Sequence, residues 1–138
     1  MYLVFIPPKL KTDLLDVLVA IAEDRLADVQ LDWQSGYSVC IVMASQGYPG
    51  AYKKGLPIAG IHESSDPNSF VFHAGTQQTD AGTFVTNGGR GLNICADGEE
   101  LKDAISSAYK RCERIQFDGA YYRKDIGQKG LARLKQAV

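Results

Sequence analysis

Histidine, cysteine and surplus charge are all scarce in this chain of 138 residues, and each scarcity excludes something. Two histidines, His62 and His73, and three widely spaced cysteines, Cys40, Cys95 and Cys112, cannot be arranged into the paired ligand spacing of a zinc site. No metal is therefore expected on this chain. The odd number of cysteines, each in an apolar stretch, points to buried, unbridged thiols in a reducing cytosol. Fifteen Lys and Arg against sixteen Asp and Glu leave a net charge of −1. The basic stripe that a sequence-independent nucleic-acid binder needs is missing, so no nucleic-acid partner is expected, although a local anion site stays open. No apolar run approaches the ~20 residues of a membrane span. Met1–Ile6 lacks a basic leader and stops at Pro7-Pro8, so neither a signal peptide nor a membrane partner is read here.

What is present is ordinary. A hydrophobic fraction of 45% and a charged fraction of 22% exclude disorder, collagen and coiled coil. A chain of this length buries roughly two thirds of its unfolded surface, enough for one core without staples. One domain, or one domain with a short appendage, is expected.

The periodicity then divides the chain. Thr12-Asp13 opens a helical pattern to about Asp28, with Leu14, Leu18 and Ile21 on one stripe and Leu15, Ala22 and Leu26 beside it. That stripe is expected to dock on something. Tyr37–Ala44 is nearly continuous and rich in β-branched residues, which predicts a central strand covered on both faces. Ser45–Gly50 breaks it, Leu56–Ile61 reads as a short strand, Ser64–Ser69 as a turn and Phe70–Ala74 as a further strand. Thr83–Thr86 and Leu92–Cys95 flank Asn87-Gly88-Gly89-Arg90, the pattern of a β-hairpin. Asp97–Glu100 starts a second helix with buried positions Leu101, Ile105, Ala108 and Cys112 and a basic end at Lys110, Arg111 and Arg114. A last strand over Phe117–Arg123 and a C-terminal helix over Ile126–Lys135, capped by Asp125, complete an α+β fold on a mostly antiparallel sheet.

Several segments have the residue types for anion chemistry. In Thr86-Asn87-Gly88-Gly89-Arg90-Gly91 the glycines let backbone approach a ligand, and Arg90 offers a bidentate clamp for a phosphate. The other reading of the same residues is a plain hairpin turn with a solvated arginine. Gly47-Tyr48-Pro49-Gly50, followed by Lys53-Lys54-Gly55, is either a loop over a ligand or a surface turn. His73 is either an acid/base group or a structural histidine, with no nucleophile motif beside it. Arg123-Lys124-Asp125 is either a second anion contact or a helix cap.

Taken in order, these segments resemble one family. Ser38–Ser45, Gly47-Tyr48-Pro49-Gly50, Lys54-Gly55, Val71–Thr76, Thr86–Arg90, Ala108-Tyr109, Ile115–Gly119 and Arg123–Gly127 are similar to the C-terminal region of phosphoribosylamine–glycine ligase, a member of the ATP-grasp superfamily. The resemblance implies a cytoplasmic enzyme of purine synthesis that uses ATP and Mg²⁺ to join glycine to phosphoribosylamine. It implies that Asn87, Gly88, Gly89 and Arg90 contact phosphoribosylamine, with Tyr48 and Lys54 in the same pocket and His73 and Asp125 supporting the loops. Gln46, Gly91 and Gln128-Lys129-Gly130 depart from the family pattern.

Members of that family are several times longer, and their nucleotide and metal ligands lie upstream of the matching region. The resemblance therefore implies a fragment: residues 1–34 as the tail of the ATP-grasp region and residues 35–138 as the C-terminal domain. On that reading the chain holds no catalytic residue of its own, binds neither ATP nor Mg²⁺ alone, is inactive in isolation, and has the rest of the ligase as its partner. Self-association through the first helix is an alternative way to cover its stripe. A truncated, non-catalytic sugar-phosphate-binding or scaffold module is the alternative function.

Overall fold

The computed structural model describes residues 9–63 and 66–136. The Met1–Pro8 opening, Ser64 and Ser65 lie outside them. The described elements are α1 (Leu14–Ala22), β1 (Tyr37–Ser45), β2 (Ser69–His73), β3 (Thr76–Gln78), β4 (Phe84–Thr86), β5 (Arg90–Gly98), α2 (Leu101–Arg114), β6 (Ala120–Tyr121) and α3 (Gln128–Gln136). Among the described residues, no helix is long and apolar enough to cross a membrane.

The expected α+β fold on an antiparallel sheet is what forms. The main sheet runs β2-β5-β1-β6, with every pairing antiparallel. β1 and β5 are its centre, matched from Tyr37 opposite Gly98 to Met43 opposite Leu92, with a register shift between Met43 and Ala44. β6 reaches only Ala44 and Ser45 of β1. The apolar side chains of the two central strands alternate. Val39, Ile41, Met43, Leu92, Ile94 and Ala96 point to one face, where α2 seats Ala104, Ile105, Ala108 and Cys112 against them. The stripe expected on α2 is therefore the stripe that is buried. Each fully buried Ile or Leu contributes about 1.5–3 kcal/mol by leaving water.

Two expectations about strands are corrected. β4 and β5 do not form a hairpin: β4 pairs with β3 in a separate two-stranded ribbon, and β5 joins the main sheet. A tight Asn-Gly hairpin needs positive φ at its centre, and neither Asn87 nor Gly88 adopts it. Instead Asn87 N donates to Gly75 O at 2.7 Å and carries the chain from one sheet to the other. Leu56–Ile61 is an extended connector rather than a strand. It makes isolated bridges at Pro57 to Val85 and Ala59 to Gln116, and Pro57 lacks the N–H needed to continue a ladder.

The first helix is shorter than expected and its stripe is not buried. Asp13 caps it, accepting from Leu15 N at 2.8 Å. α1 ends at Ala22, and a 3₁₀ turn at Leu26–Asp28 follows. Val17 and Ala20 are buried, whereas Leu15, Leu18, Ile21 and Leu26 are each about half exposed or more. The segment closes on itself: Leu10 bridges Trp33, Gln34 N donates to Lys9 O at 2.8 Å, and Thr12 Oγ1 accepts from Asp32 N at 2.8 Å. None of its residues belongs to the main hydrophobic core.

Candidate functional site

Three chain segments meet where the main sheet passes into the β3-β4 ribbon. The first is the loop after β1, the second the Ala74-Gly75 link between β2 and β3, and the third Asn87-Gly88-Gly89 between β4 and β5, with Arg90 at the head of β5. Their backbones are tied together. Gly75 N donates to Arg90 O at 2.7 Å, Ala74 N to Gly91 O at 3.0 Å and Ser45 N to Gly89 O at 2.8 Å. Thr86, fully buried, accepts from Leu56 N through its hydroxyl at 3.1 Å and from Gly55 N through its carbonyl at 2.6 Å.

The glycines are required by close approach. A Cβ on Gly75 would stand 2.7 Å from Gly88 Cα, and one on Gly89 would stand 2.1 Å from Tyr48 Cδ2. The Tyr48 ring therefore packs directly against Gly89, after the turn at Gly47, whose φ of 94° only glycine adopts readily. The Tyr48-Pro49 peptide is cis. Gly88, Gly89, Arg90 and Tyr48 then line a cavity of about 460 Å³ together with Tyr52, Gly75 and Asn93. Tyr48, Arg90 and Asn93 also border a larger, mostly apolar cavity of about 620 Å³ along β1, which Tyr122, Ile126 and Gly127 line as well.

The other expected site residues are placed differently. Asn87 is exposed at the head of the loop and does not line the cavity. Lys54 is exposed and lines none of the described cavities, while its neighbour Lys53 faces a separate one of about 440 Å³ with Gln46 and Asp118. His73 ends β2 with Nδ1 2.8 Å from Thr76 Oγ1 and its ring 4.4 Å from that of Phe84. It ties β2 to the ribbon. Asp125 does not cap α3 with its side chain. Arg123 holds that carboxylate at 2.9 and 2.6 Å, and the Asp125 carbonyl accepts from Gln128 N. The guanidinium holds the Asp125 carboxyl below the ordinary carboxylate range. Tyr109 OH fixes the same loop, donating to Arg123 O at 2.9 Å and accepting from Ile126 N at 3.0 Å.

Residues 38–129 match the family described as "Phosphoribosylglycinamide synthetase, C domain". The chain belongs to that family. It is 47% identical over 86% of its length to a phosphoribosylamine–glycine ligase of Caldanaerobacter subterraneus, of which it covers 28%. It is 44% identical over 94% of its length to a bifunctional purine biosynthetic protein of Dictyostelium discoideum, of which it covers 16%. The crystal structure of the phosphoribosylamine–glycine ligase of Thermotoga maritima superposes with a TM-score of 0.61 at 32% identity, over 78% of this chain and 27% of that one. The chain thus spans less than a third of the length of these relatives.

Within this synthetase C domain, sequence reasoning missed Tyr52, Gly75 and Asn93 as cavity residues. Asn93 had a usable signal, since it interrupts the apolar run of β5 at the period of two that turns it away from the core. Gly75 and Tyr52 had none, because their positions depend on contacts between segments distant in sequence. Arg111 was read as part of a basic helix end. It is buried instead, with its guanidinium donating to the carbonyls of Ile61 and Glu63. The three cysteines are buried and unbridged as expected. Burial pushes the Cys112 thiol up to about 12.

Proposed function

We propose that this chain is the C-terminal portion of a phosphoribosylamine–glycine ligase of purine synthesis, acting in the cytoplasm. Its task is to hold phosphoribosylamine and to close one side of the ligase cleft. The observation that supports this most is the convergence of Tyr48, Gly88, Gly89 and Arg90, from two segments far apart in sequence, on one small cavity. Arg90 would take the sugar phosphate through two parallel N–H groups, and Gly88 and Gly89 would let the ligand approach the backbone. Asn87 and Lys54, both exposed, would make outer contacts, and His73 and Asp125 would hold the surrounding loops. The contribution is positioning of the amine for attack.

ATP and Mg²⁺, which the ligase reaction needs, would supply activation of the glycine carboxylate. Among the described residues no three His, Cys, Asp or Glu cluster to hold a metal ion. Those ligands belong, on this reading, to ligase segments that the chain does not span, and the isolated chain makes no product. Residues 1–34 are then the tail of the ATP-grasp region and residues 35–138 the C-terminal domain. The self-closed segment from Lys9 to Ser35, which contributes nothing to the main core, supports that boundary.

An NMR titration of this chain with glycinamide ribonucleotide, with ATP as control, tests the reading. Shifts centred on residues 87–90, lost in Arg90→Ala and absent with ATP, are expected. A flat titration at these residues would mean that the pocket needs the ligase segments the chain does not span, or that the fold survives here only as a scaffold.

A further inference from the structure

Cys40 and Cys95 stand directly opposite one another on the two central strands. Their kind of pairing follows from the neighbouring ladder. On the β2 side, Asp97 N donates to Asn68 O at 2.9 Å and Ala74 N donates to Gly91 O at 3.0 Å. Backbone polar groups alternate sides along a strand, so residues 97, 95, 93 and 91 of β5 all turn theirs toward β2. Toward β1, Cys95 therefore belongs to a non-hydrogen-bonded pair. That is the closer of the two kinds, with Cα atoms about 4.5 Å apart and the side chains drawn together. A disulfide spans Cα separations of about 4.4–6.8 Å without moving the backbone.

The two thiols also share a face. Val39 and Ile41 point into the α2 core, so Cys40 between them points away from it, and Cys95 opposite does the same. Cys40 borders the 620 Å³ cavity along β1, and Cys95 is fully buried beside it. Cys112 lies in the core on the other side of the sheet and cannot compete for either thiol.

We propose that Cys40 and Cys95 are a dithiol modification site, which a small two-electron oxidant entering the cavity along β1 converts to a cross-strand disulfide. With diamide as the oxidant, the Cys40 sulfur adds to the N=N bond. The Cys95 sulfur then displaces that nitrogen, so an S–S bond forms as the S–N bond breaks. The two thiol protons and two electrons end on the hydrazine product. The bond closes the chain between residues 40 and 95 and fixes the two strands that lead to Tyr48 and from Arg90. Neither cysteine lines the cavity proposed for phosphoribosylamine, and the bond does not depend on that assignment.

The test is diamide treatment of the native chain, followed by unfolding, alkylation and mass analysis. The intact mass should fall by two hydrogens, the peptides holding Cys40 and Cys95 should be linked, and only Cys112 should alkylate. The thermal midpoint should rise on the order of 5–10 °C and return with dithiothreitol. Cys112→Ala should keep all of this, and Cys40→Ala should lose it. Alkylation of all three thiols after treatment of the wild-type chain, or a bond that includes Cys112, would overturn the proposal.

Discussion

α1 and α2 are two helices of one chain with opposite relations between composition and burial. α1, Leu14–Ala22, carries a single charged residue, Asp16, yet buries only Val17 and Ala20. α2, Leu101–Arg114, is half polar, yet buries five residues, one of them an arginine. Burial is thus set by the surface an element meets and not by how apolar it is. α2 meets the faces of β1 and β5, which were made for it by strict alternation. α1 meets only its own short loop among the elements it packs on most closely. A helix that is apolar all round normally sits inside a larger core. In α1, by contrast, Leu15, Leu18 and Ile21 stay largely uncovered among the described residues.

The contrast is breakable by mutation, and the largest effect should come from the sheet. Ile94→Ala removes a fully buried side chain facing α2 and should cost about 3–4 kcal/mol in urea unfolding. Next is Arg111→Ala. It strands the buried carbonyl of Ile61 and the partly buried carbonyl of Glu63, and should cost about 2–3 kcal/mol, with Arg111→Lys recovering only part. Gly89→Ala drives a methyl into the Tyr48 ring and should cost about 1–2 kcal/mol while abolishing the NMR response to glycinamide ribonucleotide. Leu18→Ala, on the exposed stripe of α1, should change stability by less than about 0.5 kcal/mol in the monomeric chain. A cost close to that of Ile94→Ala, together with a dimer in sedimentation, would show that a second copy covers the stripe and would erase the contrast.

The smallest expected effect is electrostatic. Arg123 lowers the folded pKa of Asp125, so the pair adds stability above the ordinary carboxylate pKa and loses it as pH falls through the lowered folded value. Both side chains are exposed, which keeps the effect small. Asp125→Asn should therefore be slightly less stable than wild type at neutral pH, and the difference should vanish on acidification. A difference that persists below the carboxylate range would mean that the charge of Asp125 is not its source, and no difference at neutral pH would mean that Tyr109 holds the loop without the ion pair.

What could be read from sequence divides along the same line. The β1 run and the α2 stripe were legible because their neighbours lie on regular elements whose period shows in the residues. The Asn87–Arg90 segment was read as backbone open to a ligand and as a hairpin, and neither reading gave the close packing of Gly88 on Gly75 or of Gly89 on Tyr48. Two glycines in a row signal small size and free φ alike, and here only size is used. The carboxylate of Asp125 was assigned to a helix N–H, but Arg123, two residues away, reaches it first. The burial of Arg111 left no trace in the sequence, because its acceptors are carbonyls on a connector 48 and 50 residues earlier in the chain.

The sequence by itself determined the fold class, the central strands, the face of α2 that is buried, and a family whose motifs appear in order along the chain. These depend on local periodicity and on residue types in series. Only the tertiary structure decided that Tyr48 lies on Gly89, that Gly75 backs Gly88, that Cys95 faces Cys40, and that the stripe of α1 is left uncovered. Each of those depends on the register and crossing of segments far apart in the chain. Nearest-neighbour patterns carry no information about such distances, because the free energy that sets them comes from packing the whole sheet at once.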